Sequence, residues 1–134
     1  MRKRVNEAFA VCAADGEHVL DMEVLAVDSF GIVAAGVHLI TYVMTSDGRK
    51  YWIQRSSKNK ATFPGELGST ASSSLISSEL PLDGVAREAD EEAEIPETYT
   101  RANVKACGTV SYYMWEYNDG RPGSWPHVQY NYET

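Results

Sequence analysis

The residues best suited to chemistry lie in an acidic stretch from Glu79 to Glu94, where Arg87 is the one basic residue. The seven carboxylates of this stretch are Glu79, Asp83, Glu88, Asp90, Glu91, Glu92 and Glu94. On a helix, Glu88 shares a face with Glu91 and Glu92, because they follow it by three and four positions. Like charges at this spacing repel each other, and a divalent cation would compensate them directly.

Carboxylate oxygens are hard ligands that suit Mg²⁺ or Mn²⁺, and these ions also bind phosphates. The acidic face therefore predicts a metal site formed by Glu88, Glu91 and Glu92. Arg87 precedes Glu91 by four positions, so it can pair with that carboxylate and fix its rotamer. The alternative is a solvated acidic helix face without an ion, as most charge runs are.

The helix that must present these side chains is bounded by two prolines. Pro81 suits a first helical turn, since its fixed φ and missing N–H cost little there. Pro96 disfavours helical backbone just before it, so we expect the helix to run from Pro81 to about Ala93.

Strands are predicted on both sides of this helix. The run from Gly36 to Thr45 is apolar on both faces, which indicates a buried central strand. A turn at residues 46–49 leads into a return strand from Tyr51. The other predicted elements are a first strand over 8–12, a helix or strand over 21–27, a short strand at Leu75-Ile76, a strand or hairpin over 104–117, a turn at 118–120 and a last strand around 128–132. This order indicates an α+β or layered α/β/α domain.

Composition limits the classes of partner. The chain has 134 residues, 43% hydrophobic and 23% charged, with a formal net charge of −7. So acidic a chain is a poor general binder of nucleic acid. No secretory signal or membrane span is recognisable, so we expect a cytoplasmic protein. Cys12 and Cys107 fit no metal motif and are expected to be small buried apolar residues, although a disulfide stays open.

The spacing of the charged residues is that of a known motif. Glu79, a gap of seven residues, then Arg87-Glu88 and Glu91-Glu92, resembles the core of the Nudix box. Further segments resemble one subgroup, the Nudix proteins related to the thiamine-pyrophosphokinase-associated domain of fungi. They are Phe30-Gly31-Ile32, Gly36-Val37-His38, Trp52-Ile53 with Arg55, Lys58 with Lys60, Phe63-Pro64-Gly65 with Leu67, Glu91-Glu92-Ala93, Val104-Lys105-Ala106 and Gly108-Thr109-Val110-Ser111-Tyr112.

This resemblance implies one Nudix-like domain over residues 1–134, short at both ends relative to the family. Its fold would be an α/β/α sandwich with a mixed central sheet and one Nudix helix. Its activity would be Mg²⁺-dependent hydrolysis of a small diphosphate, thiamine-diphosphate-like or nucleoside-diphosphate-linked, to a monophosphate. Glu88, Glu91 and Glu92 would be metal ligands, Arg87 would act with Glu91 and Glu92 in catalysis, and Glu79 would be an auxiliary carboxylate.

The chain departs from the family pattern where the box has glycines, because Ser73-Ser74 replace them and Glu94 stands at a third glycine position. Glycine permits positive φ and close backbone approach, which serine resists. Two other hypotheses therefore stay open. One is a Nudix-fold enzyme repurposed for a prenyl diphosphate or a non-phosphate substrate, and the other is a binding protein without turnover.

Residues that could contact the substrate are less specific. Arg55, Lys58 and Lys60 form a basic segment that could pair with phosphates or equally be an exposed loop. The general base is not assigned, with Glu91, Glu92 and Glu116 as candidates. Aromatic side chains that could stack on a ring or pack in the core are Tyr112, Tyr113, Trp115, Trp125, Tyr130 and Tyr132.

His38 is expected to be a hydrogen-bonded core histidine. His18 and His127 have no identifiable partner in the sequence. The oligomeric state is open, a homodimer being one option.

Overall fold

The computed structural model describes residues 8–27, 30–59, 64–116 and 122–134. Its elements are β1 (Ala8–Cys12), β2 (His18–Glu23), α1 (Val24–Val27), β3 (Ala34–Thr45), β4 (Gly48–Trp52), β5 (Ala71–Ser74), α2 (Pro81–Ala93), α3 (Glu97–Asn103), β6 (Lys105–Glu116) and β7 (Pro122–Glu133). None of the helices in these ranges is long and apolar enough to cross a membrane.

Strand β3 is the centre of a mixed five-stranded sheet with the order β4-β3-β7-β6, in which β5 also pairs with β3. The β3–β7 pair is parallel and the other pairs are antiparallel. Strands β1 and β2 form a separate antiparallel pair. The predicted α+β class with a mixed central sheet is confirmed, and so is the central position of the strand that begins near Gly36.

The main core lies between α2 and one face of this sheet. Val37 and Leu39 of β3 are fully buried, and they pack with Val85 and Ala89 of α2. Side chains alternate along a strand, so Gly36 and His38 lie on the opposite face. One face of β3 therefore packs against α2, and the opposite face, with Gly36 and His38, can line a site.

Helix α2 has the predicted bounds. Pro81 occupies its first turn, and the helix ends at Ala93. Glu94 closes it in the left-handed conformation, with φ of 55°. Gly84 allows close packing, because a Cβ there would lie 2.6 Å from Leu75 Cδ2.

Several local predictions were wrong or incomplete. The short strand is Ala71–Ser74, not Leu75-Ile76, and Leu75 is instead a core residue. The segment 21–27 is both strand and helix, since β2 ends at Glu23 and α1 begins at Val24. Helix α3 was not predicted. The turn proposed for residues 118–120 lies outside the described residues.

The environment expected for the cysteines was also wrong. Cys12 and Cys107 are both exposed and free. Each lies at an irregularity of strand pairing, between Val11 and Cys12 in β1 and between Ala106 and Gly108 in β6. Their positions there leave both side chains outside the core.

Candidate functional site

The acidic face of α2 is organised around the guanidinium of Arg87. Its Nε donates to Glu79 Oε1 at 2.8 Å and its Nη2 donates to Glu79 Oε2 at 3.1 Å. Its Nη1 donates to Glu88 Oε1 and lies 3.6 Å from Glu91 Oε2. The paired carboxylates raise the pKa of Arg87 above its usual range, Glu79 contributing most. One permanent cation thus holds three carboxylates together.

Glu88 is the buried member of the group, with 7% of its surface exposed. Burial raises the pKa of Glu88 above its ordinary value of 4.5, against the opposing hydrogen bonds from Ser73 and Arg87. The neighbouring charge of Glu92 raises it further. An added positive charge would stabilise the ionised form of a buried carboxylate that lies beside a second carboxylate.

Glu92 ties the end of α2 to the sheet. Its Oε2 accepts a hydrogen bond from the backbone N–H of Ser72 at 3.0 Å and one from Gln54 Nε2 at 3.3 Å. The serine belongs to β5, and Gln54 follows β4. This carboxylate is therefore held at the edge of the sheet, although its surface is exposed.

These side chains fit a hard divalent cation in chemical type, because all three predicted ligands offer carboxylate oxygens on one helix. Two of them, Glu88 and Glu91, already share the guanidinium of Arg87 as a cationic partner. Within the described ranges, no three side chains of Asp, Glu, His or Cys are grouped closely enough to form a metal site as they stand. The roles of Glu88, Glu91 and Glu92 as metal ligands therefore stay a prediction.

A pocket of about 450 Å³ lies beside this face, against the sheet. Its lining is His38, Gln54, Ser56, Glu66, Leu67, Gly68, Ser69, Ser72, Ser73, Ser74, Tyr112, Trp125, His127 and Gln129. Gln54 and Ser72 belong both to this lining and to the hydrogen bonds of Glu92. The pocket and the acidic helix are thus neighbours across β5.

His127 and Gln129 form the floor of the pocket from β7. They pair in register with Ala34 and Gly36 of β3, so they lie on the sheet face opposite the core. His127 stacks on Tyr112, with ring centroids 5.2 Å apart and planes inclined by 15°. Desolvation lowers the pKa of His127. It does the same to the pKa of His38, so neutral imidazoles are favoured at both positions.

Of the predicted substrate-binding basic residues, Arg55 and Lys58 lie outside this lining. Arg55 donates from Nη1 to the carbonyl oxygen of Gly65 at 2.8 Å, which braces the loop after β4. Lys58 is exposed. Lys60 falls outside the described residues. A role for these three side chains in substrate binding remains a prediction.

The aromatic candidates divide between the two faces of the sheet. Tyr112 and Trp125 line the pocket. Tyr130 and Tyr132 pack against the core under α2. The side chains of Trp115 and Glu116 are outside what the structure describes, so Glu116 stays only a predicted base.

Sequence reasoning missed the pocket histidine and glutamine. His127 had no identifiable partner, and Gln129 was not singled out. A signal existed, since polar residues alternate with Val128 and Tyr130 on a strand in the middle of the sheet. His38 is hydrogen-bonded as expected, its Nδ1 lying 3.5 Å from Ser69 Oγ, but it lines the pocket.

Comparison with known proteins gives one sequence relative. Over 109 residues the chain is 32% identical to an uncharacterized protein of Saccharomyces cerevisiae, YJR142W. The match covers 80% of this chain and 32% of that protein, so the chain spans about a third of its length. No family model matches the chain.

Among solved structures, DR0079 of Deinococcus radiodurans is similar with a TM-score of 0.63 and 20% identity, over 96% of this chain and 72% of that one. RenU, a Nudix hydrolase of M. smegmatis, matches more loosely, with a TM-score of 0.48 and 16% identity over 92% of this chain and 68% of its own. The likeness to DR0079 shows the fold alone. The chain therefore has a mixed-sheet α+β fold, which is consistent with the Nudix-like architecture that the sequence resemblance implied.

Proposed function

We propose that the chain is a Nudix-type hydrolase that cleaves a small-molecule diphosphate to a monophosphate with Mg²⁺ or Mn²⁺. The observation that carries this proposal is the cluster in which Arg87 of α2 joins Glu88 and Glu91 of the same helix and Glu79 just before it. A helix with only a structural role gains little stability when several carboxylates, one of them buried, surround a single guanidinium. A helix that binds a metal ion and contacts phosphates needs carboxylates held in fixed positions.

Each residue of the cluster, together with Glu92 on the same helix, has a part in this proposal. Glu88, Glu91 and Glu92 would hold the metal, which when bound would neutralise phosphate charge. Arg87 positions Glu88 and Glu91 through the contacts described above. Glu79 holds the guanidinium through two hydrogen bonds, which makes it a positioning residue.

The reaction would consume one water. Its oxygen attacks one phosphorus, the bridging P–O bond breaks, and the second phosphate leaves with the electron pair of that bond. The water proton passes to a carboxylate, with Glu91 and Glu92 as candidates. We infer a thiamine-diphosphate-like or nucleoside-diphosphate-linked substrate. A cytoplasmic location is part of the same proposal, and the oligomeric state stays open.

The serines at the glycine positions of the box are compatible with this function. Ser73 and Ser74 belong to β5 and pair in regular register with Val37 and Gly36. Neither has a positive φ, so no left-handed backbone is imposed on them. The serines therefore leave β5 regular beside α2.

The test is a panel of diphosphates incubated with the full chain and Mg²⁺ or Mn²⁺, with release of phosphate or monophosphate as the readout. The panel includes thiamine diphosphate and its oxidised forms, nucleotide sugars and prenyl diphosphates. Glu92→Gln should lose at least about a hundredfold in kcat if it serves as base or metal ligand. Glu94→Gln, just beyond the end of α2, is the matched control and should keep its activity. If the wild-type chain cleaves none of these compounds, the proposal is wrong.

A further inference from the structure

Strand β6 forms one edge of the five-stranded sheet. Among the strands that the structure describes, only β7 pairs with it. Residues 105–113 of this strand are all exposed, including Val110 at 57% and Tyr112 at 37%. The outer edge of such a strand can pair through its backbone N–H and C=O groups with a strand of another chain.

The two edges of the sheet differ in their protection against such pairing. The opposite edge strand, β4, carries Arg49 and Lys50, and cations on an edge strand disfavour pairing with another chain. Residues 106–115 of β6 include no charged residue and no proline. They do include β-branched and aromatic residues, which favour strand pairing. Strand β6 is therefore the edge that lacks protection.

The charges at the two ends of β6 favour one partner and one direction of pairing. The strand begins with Lys105 and ends with Glu116, and it carries no other charge. When two copies pair antiparallel, the lysine end of each strand meets the glutamate end of the other. A parallel pair would bring like charges together at both ends, which is destabilising. A second copy of this chain, running antiparallel, is therefore complementary to β6.

The regular part of β6 sets the register of this pairing. The pairing with β7 is irregular between Ala106 and Gly108 and between Met114 and Glu116, so residues 108–114 form the regular segment. Its central residue is Ser111. A two-fold axis through this point places Ser111 opposite Ser111 of the partner subunit, and all paired residues then share a face of the sheet.

We propose that two copies of the chain associate by antiparallel pairing of their β6 strands across a two-fold axis at Ser111. The pairing joins the two five-stranded sheets into one continuous sheet. A single pair of strands is a small interface, so the dimer is expected to form at micromolar concentrations rather than to be permanent. This inference does not depend on the proposed hydrolase activity.

The dimer would also change the surroundings of the pocket. Tyr112 lines the pocket, and Val110 lies on the same face of β6, since these residues pair with His127 and Gln129 of β7. In the proposed register, Val110 of the partner subunit lies opposite Tyr112. The second copy therefore contributes an apolar side chain beside the pocket wall.

Sedimentation velocity of the full chain tests for the dimer, at concentrations from about 5 to 200 µM under reducing conditions. The dimer fraction should rise with concentration. Ser111→Lys places two lysines opposite each other at the axis, which should weaken the dimer about fivefold or more. Ser46→Lys, in the exposed turn between β3 and β4, is the matched control and should dimerise as the wild type does.

A charge exchange tests the direction of pairing. Lys105→Glu should weaken the dimer about threefold at low ionic strength, because two acidic ends then meet. Adding Glu116→Lys to this variant should restore the wild-type affinity, since opposite charges meet again. A loss caused only by disturbed folding would not be recovered in this way.

A cysteine at the axis tests the register. In a chain with Cys12→Ser and Cys107→Ser, Ser111→Cys should form an intermolecular disulfide under mild oxidation, because directly opposite residues of an antiparallel pair are close enough for one. Ser46→Cys in the same background should cross-link much more slowly.

Several results would overturn the proposal. They are a monomer at every concentration, wild-type dimerisation of Ser111→Lys, or equal cross-linking at positions 111 and 46. Open-ended aggregates in place of dimers would also overturn it, because two-fold pairing of β6 closes after two copies. Diphosphate cleavage by a chain that stays monomeric would remove this inference and leave the hydrolase proposal intact.

Discussion

Replacement of Arg87 by methionine tests whether the acidic cluster is held by this guanidinium. Methionine keeps the unbranched apolar stem and removes the charge. The side chains of Glu79 and Glu88 are only 10% and 9% exposed. Both would be left without their main partner.

The expected loss in the free energy of unfolding is large for the removal of a single ion-pair residue. Removing one partner of a buried pair costs about 3–5 kcal/mol, because the remaining charge stays buried. Arg87 is itself 28% exposed, so we expect the lower end of that range, about 3 kcal/mol. Adding Glu88→Gln to this variant should recover part of the loss, because it removes one stranded charge.

Arg101→Met is the matched control on the neighbouring helix. Arg101 also contacts two carboxylates, Asp83 at 2.6 Å and Glu97 at 3.1 Å. All three side chains are between 41% and 47% exposed. Exposed pairs contribute about 0–1 kcal/mol, so the control should lose no more than that.

Urea unfolding followed by tryptophan fluorescence measures both losses in free energy. The slope of the transition should not change, so that the midpoints can be compared directly. If Arg87→Met loses no more free energy of unfolding than Arg101→Met, Arg87 does not hold the acidic cluster together.

Two further predictions concern the same helix. Glu94→Gly should stabilise the fold by about 0.5–1 kcal/mol in thermal unfolding, because glycine adopts the left-handed conformation of this position without strain and this gain exceeds its entropic cost. Glu94→Ala should give no gain in stability, because alanine keeps the same strain. Glu88→Gln should stabilise the chain at pH 7 but not below pH 4.5. The pKa of Glu88 is higher in the folded chain than its ordinary value of 4.5, so the ionisation of Glu88 lowers the free energy of unfolding as the pH rises from 4.5 through the pKa of the folded state. Glutamine cannot ionise and avoids this loss. Unfolding followed across this pH range checks the second prediction, and a gap that persists at low pH contradicts it.

The parts of the fold that the sequence predicted are those with strong local signals. Two prolines defined α2, and apolar residues on both faces defined β3. Strand β5 was misplaced because serines have little strand preference, and its conformation comes from pairing with β3. Helix α3 was missed because the seven residues after Pro96 lack an apolar period.

The site shows the same division between local and distant signals. The acidic residues were predicted because helical spacing brings them together within one element. The pocket was not predicted, since His127 and Gln129 meet Gly36 only through the parallel pairing of β7 with β3. Contacts of this kind depend on strand order, which a single sequence does not specify.

Mn²⁺ binding followed by electron paramagnetic resonance tests whether the acidic face of α2 binds a divalent cation. The wild-type chain should take up one Mn²⁺, and Mg²⁺ should displace it. Glu91→Gln and Glu92→Gln should each weaken uptake at least about tenfold, whereas Asp90→Asn on the same helix should not. Equal uptake by all four proteins, or none by the wild type, would show that this face of α2 is not a cation site.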